Sequence, residues 1–579
     1  MIQFNERQKM NKNTIIALLL IMITVSFFGS ETYQKFYTEK IIKKEYKKEE
    51  TKKEERKEKV ENNDLSEYKE EKEIKIKDDI KEEKEDEEKT VDTIWIENKK
   101  MTVGITEMGG KIVSVKMKDY KNEETKENIE IIRMQEKGGA QLYIGGKSYN
   151  EKVFDDGIDG DRKVKVKDKE EIKLKYEKDG EIVEKIFTIE EDSYRIGLEI
   201  KSEKIKGKSI NVGWEGGIVE SEKQDNRQEQ RVVHYYNGKN IEHVKFKNKK
   251  NEETTGFYKW IGLTSKYFLV SIVSESINDA DMGISGHKVT GNEKEKKYVE
   301  IDYDISFKTV AEEKNKKYWF YVGPTKFEEL KKYEEGFEKV LFPVMGFGKI
   351  FFWSEKWFPW IAEFVLWLLL MLKNIVKDYG IAILVITIIS RIVTYPMTQS
   401  SVKSMNKMKE IQPKVNKIRG KYKNNPQKMN EEIMKIYRKE GVNPLNPGCL
   451  PMFLQMPIFI ALFVVLRKAI ELRGAETILL PWIKDLSKPE VLISLKSIIP
   501  GGIPIYGSQI ALLPIINAML MFIQNKMTIK DPNQKAMIYI MPVFILFIFN
   551  NFPSGLVLYW TLSSAIQLLQ QYITGKNRK

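Results

Sequence analysis

Arg391 is a cation inside an oily stretch, Tyr379–Pro396, which reads YGIAILVITIISRIVTYP. An arginine at the centre of a membrane-crossing helix costs about 3 kcal/mol on insertion scales, and less towards the helix end. Thr387, Ser390, Thr394 and Tyr395 share the segment with it. Counted from Thr387, the polar residues fall three, four, seven and eight positions on, which is one face of a helix. Ile388, Ile389, Ile392 and Val393 cover the other side. A snorkelling anchor would explain an arginine near a helix end, but not a polar stripe running back towards the membrane centre. Guanidinium and hydroxyl groups bind water, phosphate or carboxylate. Without a base they make a poor proton relay and a poor cation path.

No carboxylate is available to neutralise the arginine. Five apolar segments run from Tyr379 onward: Tyr379–Pro396, Leu450–Leu466, Ile510–Ile523, Ala536–Phe549 and Leu556–Leu569. None contains Asp or Glu. An unpaired buried arginine is costly, so this one is expected to face water or phosphate groups in a hydrated cavity. Gln455, Asn517 and Gln524 are candidates to share it, with Ser563, Ser564, Gln567, Gln570 and Gln571 along the last segment. The single cysteine, Cys449, excludes an intramolecular disulfide, and His234, His243 and His287 are scattered. No nucleophile–base set, paired-carboxylate motif or phosphate loop stands out, so no cofactor and no metal is expected.

The elements that position this stripe follow from patterning along 579 residues of net charge +13. About twenty mainly apolar residues span a bilayer core. Thr14–Phe28 reads as a retained anchor rather than a cleaved signal, because no small-x-small site follows it, and residues 1–30 form that anchor. A Lys/Glu run over 31–90 is a charged disordered linker. From 91 to 316 the pattern turns to β. Thr93–Ile96, Lys111–Met117, Ile172–Tyr176 paired with Ile182–Ile189, Arg195–Lys201 and Tyr298–Lys308 are predicted strands, with Asp179-Gly180 as a hairpin turn. An exported β-sandwich is expected. Trp214, Tyr235, Tyr236 and Trp260 could line a carbohydrate cleft, but a core position suits them better. Residues 317–377 are predicted to hold a helix at Lys326–Phe342 and then a Trp-rich interfacial helix over Phe351–Lys373.

The membrane core occupies 378–573, followed by a short basic tail at 574–579. Within it, Ser400–Gly441 carries twelve Lys/Arg against four Glu, which places it in the cytoplasm. Val402, Met405, Met408 and Ile411 on one arm, and Met429, Ile433, Met434 and Tyr437 on the other, predict a helical hairpin packed arm against arm. The fold class is multi-domain: an α-helical polytopic bundle of six spans, five forming the core, plus an all-β domain on the outer side. Both termini are then cytoplasmic.

These residues carry a resemblance to the YidC membrane protein insertase family. The matching text is ISRIVTYPMTQSSVKSMNKMKEIQPKV (Ile389–Val415), EGVNPLNPGCLPMFLQMPIFIAL (Glu440–Leu462), PWIKDLS (Pro481–Ser487) and FPSGLVLYWTLSS (Phe552–Ser564). The β-region and retained first span resemble the version found in bacteria with an outer membrane. That domain is similar to a galactose-mutarotase-like super-sandwich in the periplasm, here without an epimerase site. The resemblance implies an inner-membrane insertase, not an enzyme, with a hydrophilic groove open to cytoplasm and lipid. Arg391 matches the groove arginine and Thr387 a groove-lining threonine. Phe459, Tyr559 and Trp560 match substrate-contacting positions, with Trp560 standing where tyrosine is commoner. The expected groove is therefore Thr387, Ser390, Arg391, Thr394, Gln455, Phe459, Asn517, Tyr559, Trp560 and Ser563. Implied partners are nascent membrane proteins, the Sec translocon, membrane lipids, and the ribosome and signal recognition particle pathway through the hairpin, with no specific nucleic acid. The outer loop Lys488–Gln509 is longer than in the enterobacterial form. Two other classes are weighed. A solute transporter calls for internal repeats or a coupling carboxylate, and a membrane-anchored carbohydrate-binding protein leaves five spans idle.

Overall fold

The computed structural model describes residues 92–579 apart from 123–124, 133, 135–136, 159, 161, 220, 222–230, 239–240, 245–250, 276–278, 294–295, 343–357, 442–448, 496, 500–502, 504–505, 529–534 and 577–579. The predicted anchor at 1–30 and linker at 31–90 lie outside the described residues.

Alternation builds the β-domain. In Lys169–Lys178 the side chains of Ile172, Leu174 and Tyr176 are buried while Lys173 and Lys175 face water. The strand turns at Asp179 and Gly180, both at positive φ (52° and 71°), and returns as Glu181–Glu190. Positive φ at both central residues is the geometry whose twist matches a two-residue hairpin. Among the described residues two antiparallel-dominated sheets form. The eight-stranded sheet runs Ile241–Val244, Val232–Tyr236, Trp260–Thr264, Phe268–Ser274, Asn315–Pro324, Arg195–Lys201, Glu181–Glu190 and Lys169–Lys178. The other has eleven strands, from Asn251–Phe257 at one end to Arg162–Lys165 at the other. Trp214 of the larger sheet meets Phe320 of the smaller with ring centroids 6.2 Å apart.

Both tryptophans are core residues, the position that suits them better in the sequence. Trp214 and Trp260 are fully buried and donate their indole N–H groups to Gly217 O and Glu335 O, each at 2.9 Å. Tyr236 is buried and stacks on Trp260, while Tyr235 is half-buried. Lys185 is the unexpected member of this core. Its ammonium is fully enclosed and donates to Gly109 O (2.7 Å), Ala140 O (2.7 Å) and Gly110 O (3.1 Å). Burial pushes the Lys185 amine well below the usual lysine range, and Lys111 adds to that.

Two sequence boundaries need correction. The last central strand, Asn315–Pro324, pairs on both sides and carries the sheet past the expected end at Lys316. The helix expected over Lys326–Phe342 is only α1, Phe327–Lys331, followed by a 3-10 turn at Phe337–Val340. Glu334 and Gly336 adopt positive φ (55° and 75°), which breaks the helix. Tyr333 and Phe337 instead drop onto the aromatic core, 5.1 and 5.3 Å from the Tyr321 ring.

The helical region comprises α2 (Phe358–Val376), α3 (Tyr379–Lys421), α4 (Pro426–Lys439), α5 (Cys449–Lys468), α6 (Leu512–Thr528), α7 (Lys535–Phe549) and α8 (Ser554–Lys576). Among the described residues Met521–Phe544 belongs to a different unit from the rest, and within it the Phe522 and Tyr539 rings lie 5.7 Å apart. Among the described residues, Pro359–Val376 is the one helix long and apolar enough to cross a membrane by length and composition; the apolar parts of α3, α6 and α7 are shorter. One side of α2 packs inward through Ala362, Val365, Leu366 and Leu369, and the opposite side exposes Trp360, Phe364, Trp367, Met371 and Ile375, so it is apolar nearly all round. α3 runs without a break through Pro396 and Pro413 and packs on α4 through buried Ile411, Val415 and Ile433. Lys414 and Glu440 close that pairing at 2.7 Å.

The β-domain meets the helices at one end. Tyr267 Oη lies 3.2 Å from Ser487 Oγ, Glu471 accepts the Phe327 N–H at 3.1 Å, and Arg473 donates to Lys121 O at 2.8 Å. Burial raises the Glu471 carboxyl above the usual range, against the opposing effect of that N–H and Lys326.

Candidate functional site

α3 starts where it does because Asp378 caps it, accepting the Ile381 N–H at 2.8 Å. The same carboxylate accepts the Thr477 hydroxyl and the Ile478 N–H, each at 2.8 Å. A Cβ on Gly380 would collide with Thr477, so glycine permits this approach. Burial would raise the Asp378 carboxyl, but the Ile381 and Ile478 N–H groups and the Thr477 hydroxyl hold it below its usual value. Its contribution is therefore full above the unfolded carboxyl pKa and is lost as pH falls through the lower folded value. Asp378→Ala should destabilise the fold by about 2–4 kcal/mol, a lost cap plus buried donors left unmatched. Thermal unfolding in detergent checks this, and the gap to wild type should close at acidic pH; a constant gap would assign the loss to packing.

From that cap the helix sets its stripe. Thr387, Arg391 and Thr394 point into the bundle and are buried, Arg391 to 6% exposure, with Ser390 half-buried beside them. Ile388, Ile389, Ile392 and Val393 are exposed on the far side. Tyr395 joins them there, at the edge of the stripe rather than in it. The hydroxyls bond back to their own helix. Thr387 Oγ1 donates to Ile383 O (2.7 Å), Ser390 Oγ to Thr387 O (2.9 Å) and Thr394 Oγ1 to Ser390 O (2.8 Å). That satisfies the protons without water. From this stripe Arg391 reaches across to another helix.

Arg391 Nη2 donates to Ser563 Oγ and, at 3.2 Å, to Gln567 Oε1, both on α8. Ser563 Oγ also accepts Gln455 Nε2 of α5 at 2.8 Å, and Gln455 Nε2 lies 3.2 Å from Tyr559 Oη. Three helices thus meet at one polar knot. Gly555 allows the approach: a Cβ there would touch Leu466 of α5, the Leu486 backbone and Ile383 of α3 at 3.0–3.3 Å. Arg391 Nε is buried without a hydrogen-bond partner, and no carboxylate pairs with the guanidinium among the described residues. Next to the knot, Phe459 meets Trp560 edge-on at 4.7 Å, and Phe549 meets Trp560 at 5.4 Å.

Of the residues singled out from sequence, Arg391, Ser563, Gln455 and Tyr559 come together directly. Thr387, Ser390 and Thr394 flank them on α3, and Phe459 and Trp560 form the adjoining aromatic pair. Asn517 of α6 is fully buried with neither amide atom hydrogen-bonded among the described residues, and it has no bond to the knot. Gln524 falls in the Met521–Phe544 unit. Gln567 was visible as part of a polar face, and its spacing of four from Ser563 was the signal for a direct Arg391 partner. The Asp378–Thr477 link had no such signal, because its partners are 99 positions apart.

Comparisons with known proteins bear on both halves of the chain. The family model described as 60Kd inner membrane protein matches residues 371–579, and that described as YidC periplasmic domain matches 93–368. The membrane protein insertase YidC of Chlorobium luteolum is 33% identical over 403 residues, 67% of this chain and 65% of that protein. That of Prosthecochloris aestuarii is 30% identical over 504 residues, covering 83% of this chain and 82% of the relative. In Endomicrobium trichonymphae the namesake is 34% identical, covering 72% and 75%. Among solved structures, an active YidC insertase with its first transmembrane domain resolved is 21% identical, with a TM-score of 0.36, covering 82% of this chain and 91% of that one.

Proposed function

The chain belongs to the YidC membrane protein insertase family, and on that premise we propose that it receives hydrophobic segments of nascent membrane proteins beside Arg391 and releases them into the inner membrane. It is not an enzyme. The carrying observation is the arginine itself: a buried guanidinium, bonded to Ser563 and Gln567, with Nε free and no carboxylate beside it. A charge left this way is stabilised by water or by an anionic or polar group arriving from outside. Thr387, Ser390, Thr394, Gln455, Tyr559 and Ser563 form the wall of a hydrated groove, and Phe459 and Trp560 offer an aromatic contact for the client. Asn517 belongs to the same groove further along, its amide satisfied by water or client.

Polarity along the bundle supports the topology. The β-domain bonds to the end that holds the α3 N-terminus, while α4 and the basic half of α3 extend from the other end. The first end is periplasmic and the second cytoplasmic, as the Lys/Arg bias requires. Six spans, five of them α3, α5, α6, α7 and α8, form the membrane part. α2 lies in the outer interface, its tryptophans at headgroup level and Glu363 paired with Lys331 at 3.0 Å outside the bilayer. The hairpin recruits clients and is the contact for the ribosome and signal recognition particle pathway; the Sec translocon and lipids complete the partners. A transporter is disfavoured because no coupling carboxylate stands beside Arg391 among the described residues. Carbohydrate binding is disfavoured because its aromatic candidates Trp214 and Trp260 are core.

Accessibility tests the groove. With Cys449 replaced by serine, single cysteines at Thr387, Ser390 and Thr394 should react with water-borne thiol reagents, and those at Val385, Ile388, Ile389 and Ile392 should stay unlabelled. Thiolate forms in water and is suppressed in hydrocarbon, so labelling reports wetness. Equal labelling on both faces, or none on either, would falsify the groove. Depletion followed by inner-membrane proteomics tests the function: selective loss of small membrane proteins supports insertion, and loss of one solute's uptake alone does not.

A further inference from the structure

Between α5 and α6 part of the chain reverses the usual order of polar and apolar. Glu476 and Lys484 are exposed, but other polar groups face inward. Glu490, 5% exposed, accepts the Trp482 indole N–H at 2.7 Å and the Leu513 N–H at 2.8 Å. Gln509 donates to Asn550 O at 3.0 Å, and fully buried Asn550 donates to Tyr506 O (2.7 Å) and Gln509 O (2.8 Å). Ile483 and Leu486 are buried, but a group of large apolar side chains faces outward: Ile478 is 77% exposed, Ile498 72%, and Trp482, Val491, Leu492 and Ile493 are also open. A loop folded against water would place these groups the other way round. An exposed apolar patch of this extent marks a contact surface.

Position decides what the contact is. Ile478 is held by its N–H to Asp378, at the corner where α2 turns into α3. Ser554 N–H donates to Lys488 O at 2.7 Å and Gly555 N–H to Leu486 O at 3.0 Å, tying the loop to the start of α8. Glu490 ties it to the start of α6, and a short strand pair, Ile493–Ser494 with Gln509–Ile510, stiffens it. The loop therefore sits at the level where these helices leave the bilayer.

We propose that this loop is a membrane seat: Ile478, Trp482, Val491–Ile493 and Ile498 lie in the headgroup–acyl boundary of the outer leaflet, with lipid as the occupant. The assignment rests on the orientation given under the proposed function. An apolar side inserted by several ångströms holds an amphipathic element on a bilayer, and here it fixes the periplasmic ends of α3, α6 and α8 at one depth.

The test uses the full chain with Cys449→Ser in phospholipid vesicles. Single variants Ile478→Cys, Ile493→Cys and Ile498→Cys carry an environment-sensitive fluorophore, with exposed Lys206→Cys in the β-domain as the aqueous reference. All three loop positions should lose most of the iodide quenching seen at Lys206 and gain quenching by a lipid spin-labelled near the headgroup. Iodide quenching equal to that at Lys206 overturns the seat. Shielding from both quenchers overturns it too, because the cover is then protein. Thr387→Cys labelling in the same vesicles separates the two readings: a wet Thr387 with an aqueous loop defeats the seat alone, while a dry Thr387 defeats the groove.

Discussion

Arg391→Ala lowers client insertion at least tenfold, about 1.4 kcal/mol of lost stabilisation, while the melting temperature of the bundle stays near wild type or rises. The two halves of this expectation come from one structural fact. The guanidinium is buried and bonded to Ser563 and Gln567, yet no carboxylate offsets its charge among the described residues. Removing such a cation spares its desolvation, which offsets the bonds to Ser563 and Gln567 lost with it. Function should suffer because the positive, hydrogen-bonding wall facing the client is gone. Arg391→Lys keeps the charge but loses the planar fork that reaches two acceptors, so it should fall between alanine and wild type. Insertion into vesicles, run beside thermal unfolding of each variant, separates the outcomes. Wild-type insertion by the alanine variant would make Arg391 an anchor, and a collapsed bundle would make it a structural linchpin.

Deleting Lys403–Arg438 should bring client insertion down to background and leave the bundle assembled. The contacts of this region are chiefly its own. Ile411 and Val415 of α3 pack with Ile433 of α4, and Lys414 pairs with Glu440. The knot of Arg391, Gln455 and Ser563 and the cap at Asp378 lie towards the other end of α3. Exposed ion pairs on the hairpin contribute little to stability, typically under about 1 kcal/mol each. Cysteine labelling at Thr387 and Ser390 in the truncated protein reports whether the groove survives. Normal insertion by a truncated protein with a wet groove would remove recruitment from the hairpin's role.

Legibility differed between the halves for physical reasons. The β-hairpin at Lys169–Glu190 could be read from alternation and the Asp-Gly turn, both local signals. Period and hydrophobic run likewise located α5 and α7 closely, whereas α6 and α8 run on past the apolar segments to Thr528 and Lys576, and α3 continues from Pro396 to Lys421. The end of the sandwich could not be read this way, because Asn315–Pro324 is recognisable as a central strand only through its partners Arg195–Lys201 and Phe268–Ser274. Nor could the break after α1, where Tyr333 and Phe337 follow the aromatic core rather than the helix period.

By itself the sequence determined that an arginine and three hydroxyls share one helix face with no acid in any apolar segment. Spacing on a regular helix is a local property, and absence of a residue type needs no fold. It also determined the basic hairpin, whose charge bias is a matter of composition. Only the tertiary structure decided that Arg391 reaches Ser563 and Gln567, that Gln455 bridges to the same serine, and that Asp378 joins α3 to Thr477. Those bonds join segments about a hundred or more positions apart, so they depend on how the helices pack, which glycines at 380 and 555 permit. The loop after α5 belongs to the same class: that Glu490 and Gln509 turn inward while Ile478 and Ile498 stay outside depends on their partners at Leu513 and Asn550.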